Sequence, residues 1–164
     1  QKMGMVFQNF NLFPHKTVLN NIILAPKLLN KSDLNQLKQE ALTLLEKVGL
    51  EDKANVYPSQ LSGGQKQRIL IARAVYKNPE FIFFDEATSA LDAENGKIVH
   101  NNLQEFFRGK TVVIVAHRLS TVKNADNIVV LKNGKIAEQG NHIQLTKSRA
   151  DYYNLVKNQL ELGN

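Results

Sequence analysis

The chain has 164 residues, 43% of them apolar and 22% charged, which suits one globular domain with its own core and excludes a disordered polymer. It contains no cysteine, which excludes disulfide staples and thiolate metal sites and fits a reducing compartment, and no apolar run reaches the ~18 residues needed to span a bilayer. A formal charge of +6 permits attraction to phosphates or an anionic membrane face, but the lysines are scattered, without a basic block or interleaved aromatics, which argues against nucleic acid as a partner.

Lys2–Phe7 reads as a short strand, too brief in its apolar stretch to be a secretory signal. Gln8 ends it, and Asn9-Phe-Asn-Leu-Phe-Pro-His15 follows as a loop whose aromatics anchor either a core or a docking surface. Thr17 is placed to cap a helix through Leu24, with Pro26 interrupting or restarting it. Ser32 is the expected cap of the next helix, where Leu34, Leu37, Ala41, Leu44, Leu45 and Val48 form one apolar stripe. Gly49 supplies a left-handed stop and Leu50 folds back on the last turn. Residues 52–60, including Pro58, are polar loop, so 17–60 reads as a small helical unit without a strand pattern.

From Gln65 to about Lys77 the periodicity is helical, with Ile69, Ala72 and Val75 or Tyr76 inward. Phe81–Phe84 is continuously apolar, as in a strand buried on both faces. Asp92 is placed to cap a helix carrying Ile98, Val99, Leu103, Phe106 and Phe107, ended by Gly109. Thr111–Ala116 is a second apolar strand, and the strand–helix–strand order predicts a right-handed crossover in a parallel sheet. After a short helix at 120–124, Asn127–Leu131 and Lys135–Gln139 form a hairpin around Asn133-Gly134. Helices near 142–147 and 149–160 close the chain, with Leu155, Val156 and Leu160 expected to pack on the sheet.

Two stretches carry chemistry. Asp85 and Glu86 cannot sit inside a buried strand, because an unpaired buried charge costs on the order of several kcal/mol. At the strand's C-terminal end they project where α/β sheets bind ligands. A natural division has Asp85 holding a divalent metal through water while Glu86 polarises an attacking water, as metal-assisted phosphoryl transfer requires. The plain alternative is two solvated carboxylates ahead of a turn. Ser62-Gly63-Gly64-Gln65 places unobstructed backbone N–H groups at a helix N-terminus, where the dipole favours anions; an ordinary glycine-rich helix start is the alternative. His117 and Gln8, each at a strand end, are placed to reach a terminal phosphate or its attacking water, and a purely structural histidine stays open. Asp92 needs no role beyond its helix cap. His15, His100 and His142 lack metal-ligand spacing.

With these residues in view, the chain resembles the nucleotide-binding ATPase domain of ATP-binding-cassette transporters over essentially its whole length. Leu61-Ser-Gly-Gly-Gln65 is similar to the signature motif and Phe81-Ile-Phe-Phe-Asp85 to the Walker B strand. Glu86 falls at the catalytic glutamate, Ser89-Ala-Leu-Asp92 at the D-loop, His117 at the switch histidine and Gln8 at the Q-loop glutamine. The resemblance implies an α/β P-loop NTPase (RecA-like) core with an inserted α-helical subdomain. It divides the chain into the Q-loop strand and loop (1–16), the helical subdomain with the signature motif (17–77) and the C-terminal part of the core (78–164). It implies ATP and Mg2+ as cofactors, transmembrane domains as partners, and a head-to-tail dimer with a second ATPase domain at the cytoplasmic face of a bacterial inner membrane. Ser62, Gly63, Gly64 and Gln65 would then serve ATP bound to the partner. Asp85 and Gln8 would attend the metal of their own subunit, Glu86, His117 and Gln8 the chemistry, and Asp92 the dimer seam.

The family's adenine-stacking aromatic and its G-x-x-G-x-G-K-[ST] loop have no match among these residues, so they are expected upstream of Gln1, with an exposed apolar sheet face and negligible ATPase activity in this stretch alone. The halves also point in different directions. Val6–His15 and the helical region to Gln60 are similar to importers of polar amino acids. Ala116-His-Arg-Leu-Ser-Thr121 and Gly134–Gly140 are similar to exporters, towards which the whole reading leans. An importer ATPase, a soluble member of the superfamily and a non-enzymatic scaffold remain as alternatives, and one natural transporter or an engineered chimera would both fit.

Overall fold

The apolar run after Glu80 takes the middle place in a parallel sheet. The structure is a computed structural model that describes residues 3–7, 11–29, 33–85, 104–116 and 122–162. Strands β1 (Met3–Val6), β2 (Phe81–Asp85) and β3 (Thr111–Val115) pair in the order β1-β2-β3. Their register aligns Gly4, Ile82 and Val112 in one row and Val6, Phe84 and Ile114 in another. The parallel β2–β3 pairing matches the expectation, while the crossover residues 86–103, with Asp92 and Ile98, lie outside the described residues.

Burial alternates along each strand, which corrects the expectation that 81–84 is covered on both faces. Val6, Ile82 and Phe84 are buried against helices, whereas Met3, Met5, Phe81, Val113 and Val115 on the opposite face are 39–50% exposed. Within the unit Gln1–Val115 the described helices pack on the face of Val6, Ile82 and Phe84, so the strand's two-residue period shows. On the covered face Phe84 meets Phe107 edge to face with centroids 5.7 Å apart.

Three of the described helices contribute to the layer over this sheet. In α1 (Val18–Leu28) the Asn20 N–H donates to Thr17 Oγ1 at 3.3 Å, the cap expected from sequence. The N–H groups of Val18 and Leu19 donate to the carbonyls of Val56 and Ala54, so the N-terminal end of the helix is satisfied by a distant segment. Pro26 does not interrupt the helix: it lies two residues before the end of α1, and its missing N–H leaves one carbonyl, that of Ile22, without its usual partner. Helix α2 (Leu34–Lys47) starts after Asp33, not Ser32, and without a side-chain cap. It buries Leu37, Ala41 and Leu45, and its C-cap Val48 is buried as well. Gly49 adopts φ 63°, and the Leu50 N–H returns to the Leu45 carbonyl at 2.9 Å, closing the helix as its sequence predicts. Helix α3 (Gly63–Val75) begins two residues earlier than its periodicity suggested and buries Ile69, Leu70, Ile71, Ala72 and Val75. It rests on β1 at Gly4, where a Cβ would come within 2.9 Å of the Ala74 carbonyl oxygen.

The chain divides into two compact units, Gln1–Val115 and Ala116–Asn164. In the second, β4 (Ile128–Lys132) and β5 (Lys135–Gly140) form the expected hairpin, with Asn133 and Gly134 both at positive φ (53° and 72°). Helices α4 (His142–Ser148) and α5 (Asp151–Leu162) follow, and Ile128, Val130, Leu145, Tyr152 and Val156 make the core. Val156 packs as expected, but Leu155 is 58% exposed: the buried stripe of α5 runs through Tyr152 and Val156, one turn apart. The side chain of Leu160 lies outside the described residues.

Candidate functional site

The mouth of α3 is built by its own sequence. Ser62 is extended (φ −67°, ψ 163°) and its Oγ accepts the Gln65 N–H at 3.3 Å, while Gln65 Oε1 accepts the Ser62 N–H at 2.9 Å. This reciprocal cap satisfies two end donors and leaves Gly63 and Gly64 as the first helical residues, without side chains over their N–H groups. The Ser62 hydroxyl and the Gln65 NH2 group keep their donors for the outside, so the mouth presents N–H and O–H groups together with the positive end of the helix dipole. The other end of the helix is held in the core by residues 69–75. That anchoring fixes where the donors point.

Arg68, one turn further on, donates from Nη1 to the Val48 carbonyl at 2.9 Å, satisfying the C-terminal end of α2. Burial lowers its guanidinium pKa from the ordinary value, and its Nε is buried without a hydrogen-bond partner among the described residues. Tyr76 ties the same two helices: its hydroxyl donates to Glu40 Oε2 at 2.6 Å. Burial first, then the adjacent carboxylate, raises its pKa.

Asp85 closes β2, exposed and opposite Val115 on β3. Residues 76–80 join α3 to β2 and the helix lies on the same sheet, so helix and strand run in opposite directions. The mouth of α3 is thus directed away from the strands' N-terminal ends. Among the described residues no group of three or more His, Asp or Glu side chains forms a metal site. Of the residues singled out from sequence, Ser62, Gly63, Gly64, Gln65 and Asp85 are described. Gln8, Glu86, Asp92 and His117 lie outside the described residues.

Sequence reasoning missed Asn21. It is 1% exposed on α1. Its Oδ1 accepts the Phe13 N–H at 2.8 Å, and its Nδ2 donates to the carbonyls of Phe13, Lys16 and Thr17 at 3.2, 3.0 and 3.0 Å. The signal was a polar residue inside the apolar run Val18–Leu24. Arg73 of α3, half-buried, donates from Nη1 to the Asn11 carbonyl at 3.0 Å. The apolar residues of the loop divide between core and surface: Leu12 packs on the core, while Phe13 is 42% exposed and edge-on to His15 at 6.3 Å.

A family model described as ABC transporter matches residues 1–89. The arginine transport ATP-binding protein ArtM of Bacillus subtilis is 49% identical over 143 residues, covering 86% of this chain and 60% of that protein. The L-cystine import ATP-binding protein TcyC of the same organism is 44% identical over 142 residues, covering 85% and 58%. The chain thus spans about 60% of the length of these curated relatives. Among solved structures, a bacterial Atm1-family ABC exporter with ATP bound aligns at TM-score 0.82 and 30% identity, over 96% of this chain and 28% of that one. The ATP-binding cassette MJ0796, a dimer in a post-hydrolysis state bound to ADP and Pi, aligns at TM-score 0.75 and 37% identity, over 86% and 63%. The fold is therefore an α/β RecA-like ABC-ATPase core with a helical subdomain.

Proposed function

The chain belongs to the ABC transporter family, and from that premise we propose that it forms the ATP-handling part of a bacterial amino-acid importer. The observation that carries this reading is the capped, donor-lined mouth of α3, anchored in the same unit as the strand that ends in Asp85. Backbone N–H groups and a hydroxyl at a helix N-terminus suit the terminal phosphate of ATP. We assign Ser62, Gly63, Gly64 and Gln65 to ATP held by a second ATPase domain, in a pairing supported by the dimeric cassette described above.

Asp85 fits a magnesium ion in its chemistry. Magnesium takes one or two carboxylates and fills its octahedron with water and phosphate oxygens, so a single carboxylate at a strand end suffices. The bound ion would neutralise phosphate charge. We assign Glu86, His117 and Gln8 to orienting the attacking water, Gln8 also to the metal, and Asp92 to the seam between domains. The partners in this reading are membrane-spanning domains, which the match to the ABC transporter family model supports. The ATPase then sits at the cytoplasmic face.

The exporter lean of the sequence gives way here to the importer alternative. Relatives named for arginine transport and cystine import are 49% and 44% identical, against 30% for the exporter structure. The test is ATP hydrolysis and labelled amino-acid uptake by the full-length protein assembled with its membrane partners in vesicles. ATP-driven inward movement is expected, with Ser62→Arg and Glu86→Gln each lowering hydrolysis at least about tenfold. Unchanged hydrolysis in both variants, or outward movement, overturns the reading.

A further inference from the structure

A guanidinium is a costly way to join two helices. Arg68 of α3 donates from Nη1 to the carbonyl of Val48, the C-cap of α2, at the negative end of that helix's dipole. A neutral amide could make the same bond. Instead a full charge is partly buried there, and burial lowers its pKa. Among the described residues no carboxylate forms an ion pair with it, and its buried Nε has no hydrogen-bond partner. Both features cost stability, and folds retain such costs where function requires the group.

What Arg68 stands beside is the donor-lined mouth. Gly64 and Arg68 are four positions apart on α3, so they share a face, and the Cα–Cβ bond of Arg68 tilts back toward the mouth. We infer that Arg68 is a positioning residue for ATP turnover: by pinning α3 to the end of α2 it sets where the Gly63 and Gly64 N–H groups stand, and its unneutralised charge one turn behind them adds to the field on the terminal phosphate. From a partly buried site that charge is screened less than it would be in bulk water. Tyr76, the C-cap of α3, joins the same two helices through Glu40, but at the end remote from the mouth and without a positive charge. The inference rests on the proposed function, in which the mouth meets ATP held by a second domain. A change at the mouth therefore shows in kcat, while KM follows the domain that holds the nucleotide.

The test is kcat and KM for ATP in the full-length protein assembled with its membrane partners. Arg68→Met, which keeps the bulk and removes the charge and the donor, lowers kcat at least about fivefold and leaves KM within about twofold. Arg68→Lys, which keeps the charge and a donor, retains at least about half of the wild-type kcat. Tyr76→Phe loosens α2 from α3 at the other end and keeps kcat within about twofold, so the cohesion of the two helices is not by itself what kcat reads. If Arg68→Met fails to fold, Arg68→Gln takes its place, with the same fall in kcat expected. An unchanged kcat in the charge-free variant overturns the inference. So does an equal fall in Tyr76→Phe, or a lysine variant no better than the charge-free one. A wild-type assembly that hydrolyses no ATP strikes the proposed function instead, which separates the two failures.

Discussion

The two faces of the three-stranded sheet are made from the same residue types and live in different surroundings. On one, Ile82 and Phe84 are at 0% and 1% exposure beneath α3 and residues 106–107; on the other, Phe81 stands at 42% and Met5 at 50%. Phe81 and Phe84 are three residues apart on one strand. Burial at a strand position is therefore a property of what lies over the sheet, which composition cannot report. The covered face also belongs to a layer held by long-range polar ties, including Arg68 to Val48 and Tyr76 to Glu40.

The comparison can be broken most directly at the two phenylalanines. Phe84→Ala should destabilise the protein by about 3–5 kcal/mol, and Phe81→Ala by less than about 1 kcal/mol, as read by urea unfolding. Equal losses would mean that the outer face is as covered as the inner one. A smaller effect sharpens the contact between layers. Gly4→Ala should cost about 1–3 kcal/mol in the same assay, because its new methyl meets the Ala74 carbonyl and the adjacent Pro79 ring while β1 lies against α3. The smallest effect concerns pH. Tyr76 has its pKa raised in the folded state, so its contribution is present below the unfolded value near 10 and declines above it, where the unfolded chain ionises first. Thermal midpoints measured near pH 9 and near pH 11 should therefore fall less steeply in Tyr76→Phe than in wild type, by about one to two degrees. An equal slope would remove Tyr76 from the alkaline response.

Much of the fold was legible because its signals are local. Gly49 with Leu50 ends α2, Thr17 starts α1 and Asn133-Gly134 turns the hairpin, each through bonds within a few residues. The misreadings fall at helix ends and on one helix face. Pro26 looked like a break, but the helix needed only two more residues; Ser32 looked like the cap, but the helix starts after Asp33; Leu155 lies outside the stripe set by Tyr152 and Val156. At the candidate site, Ser62, the two glycines, Gln65 and Asp85 fall on a helix start and a strand end, as their pattern suggested. The inward use of the Gln65 carbonyl was less evident, although the Ser-x-x-Gln spacing contains it. Asn21 escaped notice because its partners include Phe13 eight positions upstream, and a contact of that span leaves no periodic trace.

Among the described strands of this sheet β2 has a neighbour on either hand, β1 on one side and β3 on the other. Asp85 continues directly from Phe84, whose row is braced from both sides, and is itself aligned with Val115. Its main chain is consequently braced on both sides. In the proposed role Asp85 would not follow a ligand that shrinks by one phosphate, and the difference between ATP and ADP would be taken up by the parts that carry the opposing donors.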